Sequence, residues 1–179
     1  GSGRICDLCT GSGAIAIALS RRLQQEKDLT PDILGVDISS TALEYARHNI
    51  EKNGAFNVSL FKNDLLEDIP ENSRFSMVWA NPPYVSAEEY AVLPRDVREH
   101  EPREALEAGE EGLDFIKRLL PQAAKVLEDD KGVMLCEVGE IHADRCVQLA
   151  LDKGFGTAHV KTDDAGRPRF LVAARKKYA

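Results

Sequence analysis

Four cysteines in 179 residues, at positions 6, 9, 136 and 146, are too few and too scattered for a disulfide framework, so a reducing compartment is the reading that fits. Cys6-Asp7-Leu8-Cys9 does carry the C-x-x-C spacing, but Cys6 falls inside a strand-like run and no second ligand pair lies nearby. The four histidines (His48, His100, His142 and His159) also lack ligand spacing, and no metal is expected. No window approaches the roughly 20 uninterrupted apolar residues of a membrane span, and no secretory or transit pattern is present; no membrane partner is expected. Positive charge is in deficit: 23 lysines and arginines face 30 carboxylates, for a net −7. A chain of that balance does not bind phosphate backbones broadly, and direct nucleic-acid binding is not expected. There is no internal repeat and no low-complexity tract. The chain opens on Gly1-Ser2-Gly3 a few residues before its first expected strand, so an upstream segment, with any targeting peptide, is expected to be missing from it.

What is present is a regular alternation of periods. Strands are expected over 4–8, 33–36, 58–61, 75–79 and 132–138, with a final pair over 157–161 and 169–174 joined by turn residues as a hairpin. Helices are expected over 14–23, 41–53, 113–127 and 142–153. Thr41 and Glu44 have capping-box spacing at the second of these, and Gly54 closes it. Strands alternating with helices predict an α/β fold: a doubly wound, mainly parallel seven-stranded sheet of Rossmann-like type, ending in an antiparallel hairpin. Residues 1–179 read as one domain, and a monomer is expected. The one long irregular span, 82–112, is of the kind that carries function.

Ligands in such sheets lie beyond the carboxyl ends of the strands. The first such end is Asp7-Leu8-Cys9-Thr10-Gly11-Ser12-Gly13-Ala14, where Gly11 and Gly13 let backbone approach a ligand and the following helix offers free N–H groups. Asp37 ends the second strand, where a carboxylate can accept hydrogen bonds from both hydroxyls of a ribose; the alternative is a cap on the next helix. Loop and carboxylate together indicate a nucleoside cofactor. They do not choose between a nicotinamide dinucleotide and S-adenosylmethionine.

Asn81-Pro82-Pro83-Tyr84 closes the fourth strand. Two prolines there can neither pair as an inner strand nor readily start a helix, which leaves a stiff, extended lip. The Asn81 side-chain oxygen and the Pro82 carbonyl can each accept one N–H, and Pro83 and Tyr84 supply flat apolar walls. That geometry suits a planar –NH₂ group. Hydride transfer has no need of such a clamp, whereas methyl transfer to nitrogen does.

At these residues the chain resembles the class I S-adenosylmethionine-dependent methyltransferases, and within them the release-factor glutamine methyltransferases. The matching segments are DLCTGSGAIAIAL, GVDIS, Asn63-Asp64, NPPYV, EPREAL with GEEGLDF, and CEVGE, which together span nearly the whole chain. The resemblance implies that Cys9, Thr10, Gly11, Ser12 and Gly13 wrap the methionine part of S-adenosylmethionine, that Asp37 holds its ribose, and that Asp64 with Leu65 contacts its adenine. Asn81, Pro82, Pro83 and Tyr84 would hold the glutamine amide. The implied partner is a peptide-chain release factor presenting a Gly-Gly-Gln loop, in the cytoplasm of a bacterium or in a mitochondrion. Two positions depart from the family pattern: Cys9 stands where glycine is usual, and His142 where glutamine is common after the E-x-G segment. The family also carries a helical N-terminal domain that helps to dock the release factor, and the resemblance leads to the expectation that this domain is missing from the 179 residues.

Further candidates have plainer readings. Glu101 and Glu104 either face solvent or anchor the long loop over the site. Glu137 reads as structural more than catalytic, and Trp79 as a core residue. Two other function classes stay open at this point: an NPPY methyltransferase acting on a nucleic-acid base or another protein side chain, and a nicotinamide-dependent dehydrogenase or inactive nucleoside-binding module.

Overall fold

The computed structural model describes residues 3–27, 29–100 and 102–175. Seven strands form one sheet: β1 (Ile5–Leu8), β2 (Ile33–Asp37), β3 (Val58–Lys62), β4 (Met77–Ala80), β5 (Val133–Glu137), β6 (Thr157–Thr162) and β7 (Pro168–Ala174). Their order across the sheet is β3-β2-β1-β4-β5-β7-β6. Pairings from β3 through β5 are parallel, while β7 runs antiparallel to both β5 and β6. The expected doubly wound sheet with a terminal hairpin is therefore the observed one. Its order reverses between β1 and β4, and that is where a ligand crevice belongs.

Helices cover both faces. On one side α1 (Ala14–Lys27) and α2 (Ser40–Asn53) pack Ala16, Ile17 and Ile50 against Ile5, Ile33 and Val58. On the other, α5 (Asp114–Val126) and α6 (Ala143–Asp152) bury Ile116, Leu119, Leu120 and Ala150 against Cys6, Leu8, Val78, Met134 and Leu171. Strand β1, buried along its whole length, is the middle of this sandwich. Helix α5 runs through Pro121 despite the lost backbone donor, because its apolar stripe is held on the sheet.

Three expectations shift. The cap of α2 is Ser39, whose hydroxyl accepts from the Ala42 N–H, so the helix starts one turn-fraction ahead of the Thr41–Glu44 pair. Phe75 is fully buried, but it makes an isolated bridge to Leu127 instead of opening β4. The span 82–112 is not irregular throughout: it holds α3 (Ala87–Val92), α4 (Arg95–His100) and a 3₁₀ turn (Arg103–Ala105). Ser86 and Glu89 form a reciprocal capping box at the start of α3.

Candidate functional site

Leu8 and Ala80 are paired in register at the ends of β1 and β4, so the two chain segments that follow them leave the sheet side by side. The Asn81 N–H reaches the Leu8 carbonyl at 3.4 Å, joining the NPPY lip to the glycine-bearing loop.

The loop is tightly wound. Cys9, Gly11 and Gly13 all have positive φ, at 55°, 55° and 78°. At Gly13 a Cβ would lie 3.3 Å from that of Ala46, so the loop can press on α2 only with glycine there. Cys9 adopts a left-handed conformation that costs a non-glycine residue about 1 kcal/mol, which explains why glycine is the ordinary occupant. Its thiol is pushed up to about 12, by burial first and then by the charges of Asp37, Asp7 and Asp64. It is inert as a nucleophile.

Three carboxylates, Asp7, Asp37 and Asp64, lie around this loop. Asp37 accepts from the Gly11 N–H through Oδ2 and from the Ser39 N–H through Oδ1, both at 2.9 Å. Each oxygen keeps a second lone pair for a ligand hydroxyl. Asp37 is thus tied to the loop and to the approach of α2, although Ser39 is the cap. Its carbonyl takes the Asn63 N–H at 3.0 Å, and the Asn63 amide donates to the Leu65 carbonyl at 3.3 Å. Leu65 is buried with φ 52°, in a bend that brings Asp64 to the same rim. Arg118 of α5 holds the Asp64 carboxylate at 2.6 Å and Glu67 at 2.9 Å.

Asp7 is the residue that sequence reasoning passed over. Wholly buried in β1, it accepts from the Thr10 hydroxyl at 2.6 Å and the Ala16 N–H at 3.1 Å, both through Oδ2. Its Oδ1 has no hydrogen-bond partner among the described residues. Burial pushes its carboxyl up to about 6 against those two hydrogen bonds, with the charge of Asp37 adding to the rise. A carboxylate inside an otherwise apolar strand was the available signal.

On the lip, Pro82 and Pro83 are buried, Tyr84 is half-buried and Asn81 is exposed. The four residues line a cleft of about 600 Å³ whose other walls are Val85, Asp96 and Val97 of α4, and Ala105 and Leu106. The Val85 N–H donates to the Leu106 carbonyl at 2.9 Å and the Ala108 N–H to the Val85 carbonyl at 2.8 Å. Backbone pairing thus ties the long loop beside the lip. Glu104 is exposed, and Glu101 lies outside the described residues, as does the side chain of His100. Arg103 pairs with Glu107. Tyr84 donates its hydroxyl to Glu137 Oε1 at 3.0 Å. His142 sits behind the lip with Nε2 3.9 Å from a Glu89 oxygen. Trp79 is half-buried, its ring 6.2 Å from that of Phe170, and it is not one of the buried core residues that its sequence position suggested. No group of three or more histidine, cysteine, aspartate or glutamate side chains able to hold a metal occurs among the described residues, and both Cys6 and Cys9 are free thiols.

A reversed-order parallel sheet with a glycine loop, an acidic second-strand end and an NPPY lip at its switch point defines a Rossmann-like methyltransferase fold. The chain matches the family described as "Methyltransferase domain" over residues 1–164, and it belongs to that family. It is 35% identical over 174 residues to a release factor glutamine methyltransferase of Thermodesulfovibrio yellowstonii, a match covering 97% of this chain and 60% of the relative. It is 41% identical over 176 residues to a ribosomal protein uL3 glutamine methyltransferase of Xanthomonas campestris, covering 98% of this chain and 54% of that one. Among solved structures, a ribosomal protein L11 methylase of Lactobacillus delbrueckii superposes with a TM-score of 0.68 at 24% identity, over 98% of this chain and 71% of that one, which is a likeness of fold. The chain spans 54–60% of the length of the curated relatives it matches.

Proposed function

We propose that this chain is the catalytic domain of an S-adenosylmethionine-dependent methyltransferase whose acceptor is the side-chain amide of a protein glutamine, in the Gly-Gly-Gln loop of a peptide-chain release factor. The observation that carries the reading is the register of Leu8 with Ala80, which sets a nucleoside loop and an amide-shaped lip side by side. The charge of the loop supports the cofactor. Asp7, Asp37 and Asp64 converge on residues 9–13, which carry no cation of their own. A ligand bearing sulfonium and ammonium groups suits that surround, whereas a dinucleotide pyrophosphate would bring two more negative charges into it. In this reading residues 9–13 wrap the methionine portion, Asp37 binds the ribose hydroxyls, and Asp64 with Leu65 borders the adenine.

The acceptor chemistry follows from the lip. A carboxamide nitrogen is a weak nucleophile because its lone pair is delocalised, so it must be aligned with the sulfonium methyl and stripped of water. Asn81 and the Pro82 carbonyl accept its two N–H groups, and Pro83 and Tyr84 hold its plane. Nitrogen forms a bond to the methyl carbon as the carbon–sulfur bond breaks, leaving a neutral thioether and a proton for solvent. The N–H becomes acidic only as the new bond forms, so Asn81 orients and accepts without abstracting a proton in advance.

The relatives' names divide between release factor and ribosomal protein uL3, and both name a glutamine methyltransferase. A base-methylating role is disfavoured by charge: the span 82–114, which supplies most of the lining of the cleft, contains ten carboxylates and three arginines, and Asp96 is the carboxylate that lines it. Two experiments test the reading. S-adenosylhomocysteine should raise the melting temperature and NAD should not, because a ligand selective for the folded state stabilises it. Methyl transfer from labelled cofactor should then be measured in parallel on a release factor, on uL3 and on an oligonucleotide. Label on the oligonucleotide alone would overturn the proposal, and label on uL3 alone would move the acceptor assignment.

A further inference from the structure

We propose that Glu137, backed by Arg169, is a positioning residue of the methyl-transfer site, fixing the ring of Tyr84 as a wall of the acceptor pocket. This rests on the reading of the lip as an amide clamp. Glu137 is the last residue of β5, and its carboxylate takes the Tyr84 hydroxyl proton at 3.0 Å. Arg169, on β7, brings Nη1 to 3.5 Å from the same phenol oxygen. The Val138 N–H donates to the Arg169 carbonyl at 2.9 Å, so the two side chains come from strands locked together beside the lip. Arg169 is flanked in turn by Asp163 of the hairpin turn, 4.0 Å from its Nε.

The geometry assigns the phenol a restricted role. Its one proton goes to Glu137 and a lone pair faces Arg169, so the oxygen is occupied in both directions. Burial, then the charge of Glu137 and the hydrogen bond to it, hold the Tyr84 hydroxyl above the usual phenol range, against the opposing pull of Arg169. It stays protonated. The hydroxyl therefore neither gives a proton to the acceptor nor takes one, and what it delivers is the ring plane. Behind the ring, Pro82, Gly112, Gly139 and His142 leave a gap of only about 10 Å³, so an untethered ring would swing outward into the cleft. The terminal hairpin is thereby part of the active site, at a distance of 85 residues in sequence.

The test compares Glu137→Ala, Glu137→Gln, Tyr84→Phe and the Glu137→Ala/Tyr84→Phe double variant. On a release-factor acceptor, Glu137→Ala should lower kcat/KM about tenfold to a hundredfold with S-adenosylmethionine affinity unchanged, the scale of a misplaced acceptor. Glu137→Gln, which keeps an acceptor oxygen, should recover most of that loss. The double variant should be no worse than Tyr84→Phe, since both changes break one interaction. Full activity in Glu137→Ala and Tyr84→Phe, or losses that multiply in the double variant, would overturn the proposal. An independent readout needs no turnover. With tyrosine labelled at Cζ, the resonance that disappears in Tyr84→Phe should titrate later than the other tyrosines, and Glu137→Gln should bring it earlier. An unmoved titration refutes the positioning role, even where a wild-type enzyme silent on glutamine has already refuted the amide reading.

Discussion

Asn81 is exposed where it lines the proposed acceptor cleft while the two prolines after it are buried, so its side chain is presented by a backbone that cannot yield. Replacing it with alanine should cut kcat by about 10²–10³ and leave cofactor affinity unchanged, as expected on removal of one preorganised partner of the transition state. Steady-state kinetics beside calorimetry of cofactor binding separates the two effects. Asp37 works differently, because it binds two backbone amides as well as the proposed ribose. Asp37→Ala should weaken S-adenosylmethionine binding by about 1.5–3 kcal/mol and also lower the stability of the cofactor-free chain. Calorimetry that finds cofactor affinity unchanged in a folded variant removes Asp37 from the site. Asp7 yields a pH signature. Its folded-state value, pushed up to about 6, lies above that of an unfolded aspartate, so the folded chain holds an extra proton between the two values. Stability therefore falls as pH rises through that window, by on the order of 2–3 kcal/mol, and the cost persists above it. Below the unfolded value both states are protonated and the cost vanishes. Asp7→Asn should melt higher than the wild type at pH 7.5, with the difference closing toward pH 4; equal melting at pH 7.5 would show that ionised Asp7 is not costly.

At the scale of elements, the span between lip and α5 is a wall assembled from weak pieces. Helices α3 and α4 have six residues each, too few to persist alone, and α3 relies on its capping box and on the pairing of Val85 with Leu106 and Ala108. Ser86→Ala removes the hydroxyl that takes the Glu89 N–H and should cost about 1 kcal/mol locally. Amide exchange at Glu89 and Tyr90 should then quicken about fivefold while cofactor binding is preserved. Unchanged exchange would show that α3 is held by something other than its cap. These short helices were not legible in the sequence, because six residues give no reliable period and the contacts that hold them come from elsewhere in the chain. The long elements were legible: the apolar stripe of α5 and the runs of β1, β2 and β5 dictate burial by themselves. The cap of α2 fell on Ser39 instead of Thr41 because three hydroxyl residues, Ser39, Ser40 and Thr41, compete in succession and only the approach of the chain from Asp37 decides. At the site, the loop and lip were readable as motifs. Arg118, Glu137 and Arg169 were not, since their partners lie 54, 53 and 85 residues away and no local pattern marks them.

For the whole molecule, charge is distributed by function. Residues 82–114 carry a balance of −7, equal to that of the chain, so the remainder is neutral in sum. Asp96 lines the cleft and the span around it is acidic, so in the proposed reading polyanions should compete poorly: an oligonucleotide added at physiological salt should leave methylation of a release factor unchanged. No helix among the described residues is long and apolar enough to cross a membrane. Which atom receives the methyl group separates the proposed glutamine chemistry from every alternative. With the chain in excess over a release factor, so that weak docking does not limit the yield, and with S-adenosylmethionine labelled in its methyl group, the digested acceptor should carry the label on the side-chain nitrogen of the Gly-Gly-Gln glutamine. Label that is absent from that glutamine after full incubation, or that appears on another residue or on nucleic acid, would contradict the central claim.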